Sequence, residues 1–124
     1  MKVFVVEDSP IVQERLLAML SDLHQVEVAG VADNTDDAVS DILRLRPDAV
    51  VLDIKLRVGS GIEVLKEIRR LGSQSATIML TNHANEEFRR HCMALGADYF
   101  YDKTCEFEMV TEALKQIGQQ DFAY

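Results

Sequence analysis

The 124 residues suffice for one domain and leave no room for a second, and a content of 48% hydrophobic and 27% charged residues excludes a disordered chain and predicts a proper core. A formal charge of −8, from 21 acidic against 13 basic residues, repels phosphate backbones and anionic lipid, so neither direct nucleic-acid binding nor membrane attachment is expected. Cys92 and Cys105 lack a C-x-x-C spacing and fall in different predicted helices, which excludes a zinc or disulfide framework and fits reduced thiols in a cytoplasmic protein.

The chain opens with the β-branched run Val3-Phe4-Val5-Val6, read as a strand and, ending at Glu7-Asp8, too short for a signal peptide or a membrane span. Ser9-Pro10 then supplies a cap and a first-turn proline to a helix whose apolar positions are Ile11, Leu16, Leu17 and Leu20. A second strand is predicted over 26–32. The helix after it is capped by Asn34 or Thr35, carries Ala38, Val39, Ile42 and Leu43, and is stopped by Pro47. Ala49-Val50-Val51-Leu52 is the most apolar strand and therefore belongs near the centre of the sheet.

Ser60 with Glu63 three residues on matches a capping box for a third helix, which uses Ile62, Leu65 and Ile68 and ends at Gly72. A strand over 76–80 follows, then a helix with Phe88, Cys92 and Leu95 ending at Gly96. A strand over 99–101 and a helix with Phe107, Val110, Leu114 and Ile117 complete the pattern. Strands alternating with helices imply an α/β fold: a parallel sheet with right-handed crossovers and helices on both faces.

In such a sheet a ligand site lies beyond the carboxyl ends of the strands, near the point where strand order reverses. Glu7-Asp8, Asp53, Thr81 and Lys103 all follow predicted strands. Each alone is most simply a helix cap or a solvated charge, and their joint placement carries the argument. Two carboxylates about 4 Å apart repel by roughly 4 kcal/mol at an effective dielectric near 20, so something must neutralise them. Mg2+, which takes carboxylates, carbonyls and waters and shares itself with phosphate oxygens, is the natural candidate. Lys103 can pair with a phosphoryl oxygen and the Thr81 hydroxyl can donate to another, which makes Asp53 a candidate nucleophile toward phosphorus.

These residues, with Val5-Val6-Glu7-Asp8-Ser9, Val51-Leu52-Asp53-Ile54, Gly59-Ser60-Gly61, Leu80-Thr81 and Gly96-Ala97-Asp98-Tyr99-Phe100-Tyr101-Asp102-Lys103, resemble the CheY-like receiver domains of bacterial two-component response regulators over essentially the whole chain. The resemblance implies a flavodoxin-like doubly wound sheet of five parallel strands in the order 2-1-3-4-5, with about five helices, and a single receiver over 1–124. It further implies a switch that catalyses its own phosphorylation and dephosphorylation at Asp53, taking the group from a sensor histidine kinase or a phosphotransfer protein. Glu7, Asp8, Asp53 and the backbone carbonyl of Lys55 would hold Mg2+, and Phe100 would reorient as Thr81 moves. The face made by helix four, strand five and helix five would then meet a downstream target, an attached output domain or a second copy of the chain. Because residues 119–124 bring no output domain, a stand-alone regulator or an excised receiver is expected.

Three rivals share the fold class. A pseudo-receiver would bind partners without being phosphorylated, against which stands the complete set of acids, hydroxyl and lysine. A haloacid-dehalogenase-like phosphatase wants an aspartate where Lys55 stands, and a flavodoxin wants a hydroxyl- and glycine-rich loop where Glu7-Asp8-Ser9-Pro10 stands. Four positions depart from the receiver pattern: Arg57 and Thr104 replace prolines, Asn82 replaces a small residue, and Lys55 adds a cation beside the site. A cis or strained Lys103–Thr104 peptide is nevertheless expected, to bring Lys103 into the pocket. His24, His83 and His91 share no ligand spacing and carry no expected chemistry.

Overall fold

Every residue of Ala49–Leu52 is buried, which a strand achieves only when it is paired on both edges and covered on both faces. In a computed structural model that describes residues 1–120 it is β3, the centre of a five-stranded parallel sheet ordered β2-β1-β3-β4-β5. The other strands are β1 (Lys2–Val6), β2 (Glu27–Ala32), β4 (Ala76–Thr81) and β5 (Tyr99–Asp102). The helices are α1 (Pro10–Ser21), α2 (Thr35–Leu45), α3 (Gly61–Arg70), α4 (Glu86–Ala94) and α5 (Met109–Gln120). The expected order and the expected five helices are both observed.

Alternation along the strands divides the core into two. Phe4, Val6, Val50, Leu52, Met79 and Phe100 point to the face covered by α2, α3 and α4. Val3, Val5, Ala49, Val51, Ile78 and Leu80 point to the face covered by α1 and α5. Burying a large aliphatic side chain contributes about 1.5–3 kcal/mol, so these two layers hold the strand ends, and the residues that follow them, in fixed register.

The local punctuation behaves as its chemistry requires. Ser9 and Asn34 cap α1 and α2, and Gly72 and Gly96 follow α3 and α4 with φ of 90° and 104°, a region costly for any residue with a Cβ. Two expectations are corrected. Ile11, placed on the apolar face of α1, is 78% exposed, because it falls on the solvent side of the helix with Glu14 and Arg15 while Val12 of the same turn packs against the core. Cys105 and Phe107 precede α5 instead of lying in it, since the chain turns between Thr104 and Phe107 before the helix begins at Met109. No helix among the described residues is long and apolar enough to cross a membrane. Of the terminal segment, residues 121–124 lie outside the described residues.

The two cysteines differ sharply in environment. Cys92 is buried against the sheet, and that burial pushes its thiol up to about 11, while Cys105 is exposed. A thiol reagent at about neutral pH is therefore expected to modify Cys105 alone in the native protein and both cysteines after denaturation, as read by mass spectrometry. Modification of Cys92 in the native chain would show that α4 opens readily.

Candidate functional site

The ladder hydrogen bonds run past the last residue of each central strand and so carry the polar side chains to one end of the sheet. Glu7 N–H donates to the Ala32 carbonyl (3.0 Å), Asp53 N–H to that of Val6 (3.1 Å) and Lys103 N–H to that of Thr81 (3.0 Å). Five of the residues singled out from the sequence, Glu7, Asp8, Asp53, Thr81 and Lys103, are thereby placed at the carboxyl ends of β1, β3, β4 and β5.

Lys103 Nζ lies 2.8 Å from Asp53 Oδ2 and 2.5 Å from Glu7 Oε1, with all three side chains less than 10% exposed. Glu7 Oε2 accepts from the Ser9 N–H at 3.1 Å. Glu7, Asp8 and Asp53 each offer an oxygen within 4.8 Å of the others, with Asp8 half-buried. Three carboxylates thus face one ammonium. Burial pushes the Glu7 carboxyl above its usual range, against the Lys103 and Ser9 hydrogen bonds that pull it down. Burial alone would lower Lys103, but its hydrogen bonds to Asp53 and Glu7 outweigh that and hold it above the ordinary lysine range, so it stays charged.

Asp53 Oδ1 is buried with no hydrogen-bond partner among the described residues. An unpaired buried acceptor costs about 1–3 kcal/mol, and more when charged, so this atom calls for an electrophilic partner. With Glu7 and Asp8 oxygens beside it, the donor set is hard, anionic and all-oxygen, which fits Mg2+ and fits no soft metal. On these observations the residues present match the cation expected from the sequence.

Thr81 is fully buried, and its hydroxyl accepts from the His83 N–H at 3.1 Å while keeping its own proton to donate. Phe100 is buried on the α4 face, where Arg89 donates to its carbonyl (3.2 Å) and sets a guanidinium 5.4 Å from the ring centroid. Arg89 thus ties α4 to β5. Lys55 and Asn82 are exposed. The Lys103–Thr104 peptide is trans, against expectation. Asp102 supplies the reason: its carboxylate accepts from the Thr104 N–H (2.8 Å) and hydroxyl (2.6 Å), turning the chain so that Lys103 faces Asp53 without a cis bond.

Two residues matter here that sequence reasoning did not single out for the site. A Cβ on Gly61 would stand 1.8 Å from the Asp53 carbonyl oxygen, so only glycine lets α3 begin against the backbone of Asp53. Its presence in Gly59-Ser60-Gly61 was visible, but the close approach was not. Thr35 reaches across from the start of α2 to hold Ser60, a contact no local pattern marks.

The family model for the response regulator receiver domain matches residues 3–115. Response regulator GacA of Pseudomonas aeruginosa is 28% identical over 116 residues, which are 94% of this chain and 54% of that protein. The chain thus spans about half the length of the curated relatives it matches. Among solved structures, the response regulator domain of Thermotoga maritima CheB superposes with a TM-score of 0.85 at 27% identity, covering 96% of this chain and 94% of that one. The BeF3-activated N-terminal receiver domain of Klebsiella pneumoniae RstA gives 0.83 at 28%, covering 94% and 97%.

Proposed function

The chain belongs to the response regulator receiver domain family, and from that premise we propose that it is a phosphorylation-dependent signalling switch whose acceptor is Asp53. The observation that carries this reading is the orphaned Asp53 Oδ1, a buried carboxylate oxygen with no partner, while Lys103 fixes Oδ2 of the same group. Lys103 anchors one oxygen, and the other keeps two unshared pairs, one for the cation and one to attack phosphorus.

In the proposed step a bond forms between Asp53 Oδ1 and phosphorus while the bond from phosphorus to the donor breaks, its electron pair leaving with the donor. The donor in the cell would be a phosphohistidine on a sensor kinase or a phosphotransfer protein. A divalent cation such as Mg2+, held by Glu7, Asp8, Asp53 and the Lys55 carbonyl, would neutralise the carboxylates and polarise phosphoryl oxygens. Thr81 would donate its hydroxyl proton to one phosphoryl oxygen, and Lys103 would transfer a hydrogen bond from Asp53 to another. Both residues would then have moved relative to β4 and β5, releasing the Arg89–Phe100 contact and altering the face of α4, β5 and α5. That face would engage a downstream protein, an output domain or a second copy of the chain, with the protein acting in the cytoplasm. Hydrolysis returns the resting state when water attacks phosphorus and the Asp53 Oδ1–phosphorus bond breaks.

The test is added mass after incubation with a small phosphodonor and Mg2+, with and without chelator. One phosphoryl group per chain, absent with chelator, is expected. No metal-dependent addition would overturn the proposal in favour of a binding module that is never phosphorylated.

Lys55 and Asn82, exposed beside the acceptor, are expected to set the lifetime of the acyl phosphate. An exposed contact of up to about 1 kcal/mol corresponds to a change of up to about fivefold in rate. Asn82→Ala, which opens access to water, should hydrolyse faster than the parent, and Lys55→Ala should lose any hold on the phosphate. Dephosphorylation rates identical to the parent in both variants would remove these side chains from the account.

A further inference from the structure

The segment between β3 and α3 is pinned at its base and at its tip. At the base, Gly61 N–H donates to the Ile54 carbonyl at 2.7 Å and Lys55 faces Ser60 in an antiparallel bridge. At the tip, Val58 bridges Asn34 and its carbonyl accepts from the Thr35 N–H at 3.2 Å. Arg57 Nη2 lies 2.9 Å from Asp33 Oδ2. Between these ties sits Thr35, whose Oγ1 accepts from the Ser60 N–H (3.0 Å) and donates to the Ser60 carbonyl (3.2 Å).

This contact displaces a local one. Ser60 Oγ accepts from the Glu63 N–H at 3.1 Å, which is half of a capping box, but the Ser60 N–H that Glu63 would receive is given to Thr35 instead. The approach is possible only because residue 59 is glycine: with φ of 89°, a Cβ there would stand 1.9 Å from Thr35 Oγ1. A single hydroxyl, 25 residues away in sequence, therefore holds both backbone groups of the residue that faces Lys55.

We propose that Thr35 is a positioning residue for the cation site, clamping Ser60 so that the Lys55 carbonyl is held toward Asp53. The inference rests on the phosphoacceptor reading, which assigns that carbonyl to Mg2+. Thr35 touches neither Asp53 nor any ligand; it acts through Ser60 and the Lys55–Ser60 bridge. The Arg57–Asp33 pair is an outer tie in the same clamp, exposed and correspondingly weak.

Mg2+ binding to the whole chain, measured by titration calorimetry, tests this, together with amide hydrogen exchange at residues 58–61 in metal-free protein. Thr35→Val keeps the shape of the side chain and loses both hydrogen bonds. It is expected to weaken Mg2+ about tenfold, the low end for groups that orient metal ligands, and to speed exchange at 58–61. Thr35→Ser restores the hydroxyl and should bind as tightly as the parent, a rescue that a merely space-filling role would not produce. Arg57→Gln opens only the outer tie and should cost about twofold, which keeps the test available if Thr35→Val does not fold. If the parent binds Mg2+ and neither Thr35→Val nor Arg57→Gln binds it less tightly, the clamp is overturned and the phosphoacceptor reading stands. If the parent itself binds no Mg2+, both fall.

Discussion

Asp53→Asn is expected to abolish phosphoryl addition while leaving the fold intact. The amide has nearly the shape of the carboxylate and still offers an oxygen to Lys103, so the 2.8 Å hydrogen bond and the packing beneath it can persist. What is lost is chemical: an amide oxygen is a poor nucleophile toward phosphorus, and the orphaned Oδ1 is no longer an anion. The cluster also carries one negative charge fewer, so Mg2+ should bind more weakly. Mass analysis after treatment with a phosphodonor should show the parent modified once and the variant unmodified, with near-identical circular dichroism spectra. Equal modification of the variant would transfer the acceptor role elsewhere and end the assignment to Asp53.

Lys103→Met should give a large loss of stability. The ammonium sits between Asp53 and Glu7, all less than 10% exposed, and removing it leaves two buried carboxylates without a counter-charge. Breaking a buried pair in this way costs about 3–5 kcal/mol. The pH dependence has a definite sign. Glu7 is already held above its ordinary value of 4.5 by burial, and loss of Lys103 removes a hydrogen bond that opposes this, raising it further. A carboxyl raised in the folded state favours folding when protonated and loses that contribution as pH climbs through its folded value. The deficit should therefore be full at about pH 7 to 8 and shrink on acidification toward the ordinary carboxyl range. Added Mg2+ should recover part of it by binding the native state alone. Urea denaturation across this pH range is the measurement; a variant as stable as the parent at neutral pH would show that Lys103 does not carry the charge balance of the site. The same variant should accept phosphate more readily than it responds to it, since the cation that reports the phosphate is gone.

Much of this molecule follows from short-range chemistry. The strands are read from β-branched runs, α1 from Ser9-Pro10, α3 from Ser60 and its end from Gly72, because caps, turns and side-chain periodicity act within about four residues. The rule that ligands gather at the carboxyl ends of parallel strands then brought Glu7, Asp8, Asp53, Thr81 and Lys103 to one place. The strand order itself came only with the family resemblance, since periodicity does not rank strands.

Packing decided the remainder. That Lys103 bridges Asp53 and Glu7 in a trans chain, leaving Oδ1 unpaired, depends on groups 50 residues apart and on the turn set by Asp102. A capping box predicted whole from Ser60 and Glu63 is completed instead by Thr35, because α2 and α3 pack side by side and a hydroxyl arriving from the neighbouring helix outcompetes a flexible exposed glutamate. Arg89 against Phe100, and Gly61 against Asp53, are likewise contacts across elements. Local rules specify which segments form and which ends they present; the distances between those ends are set only when two hydrophobic layers press the helices onto the sheet, and the chemistry of the site lies in those distances.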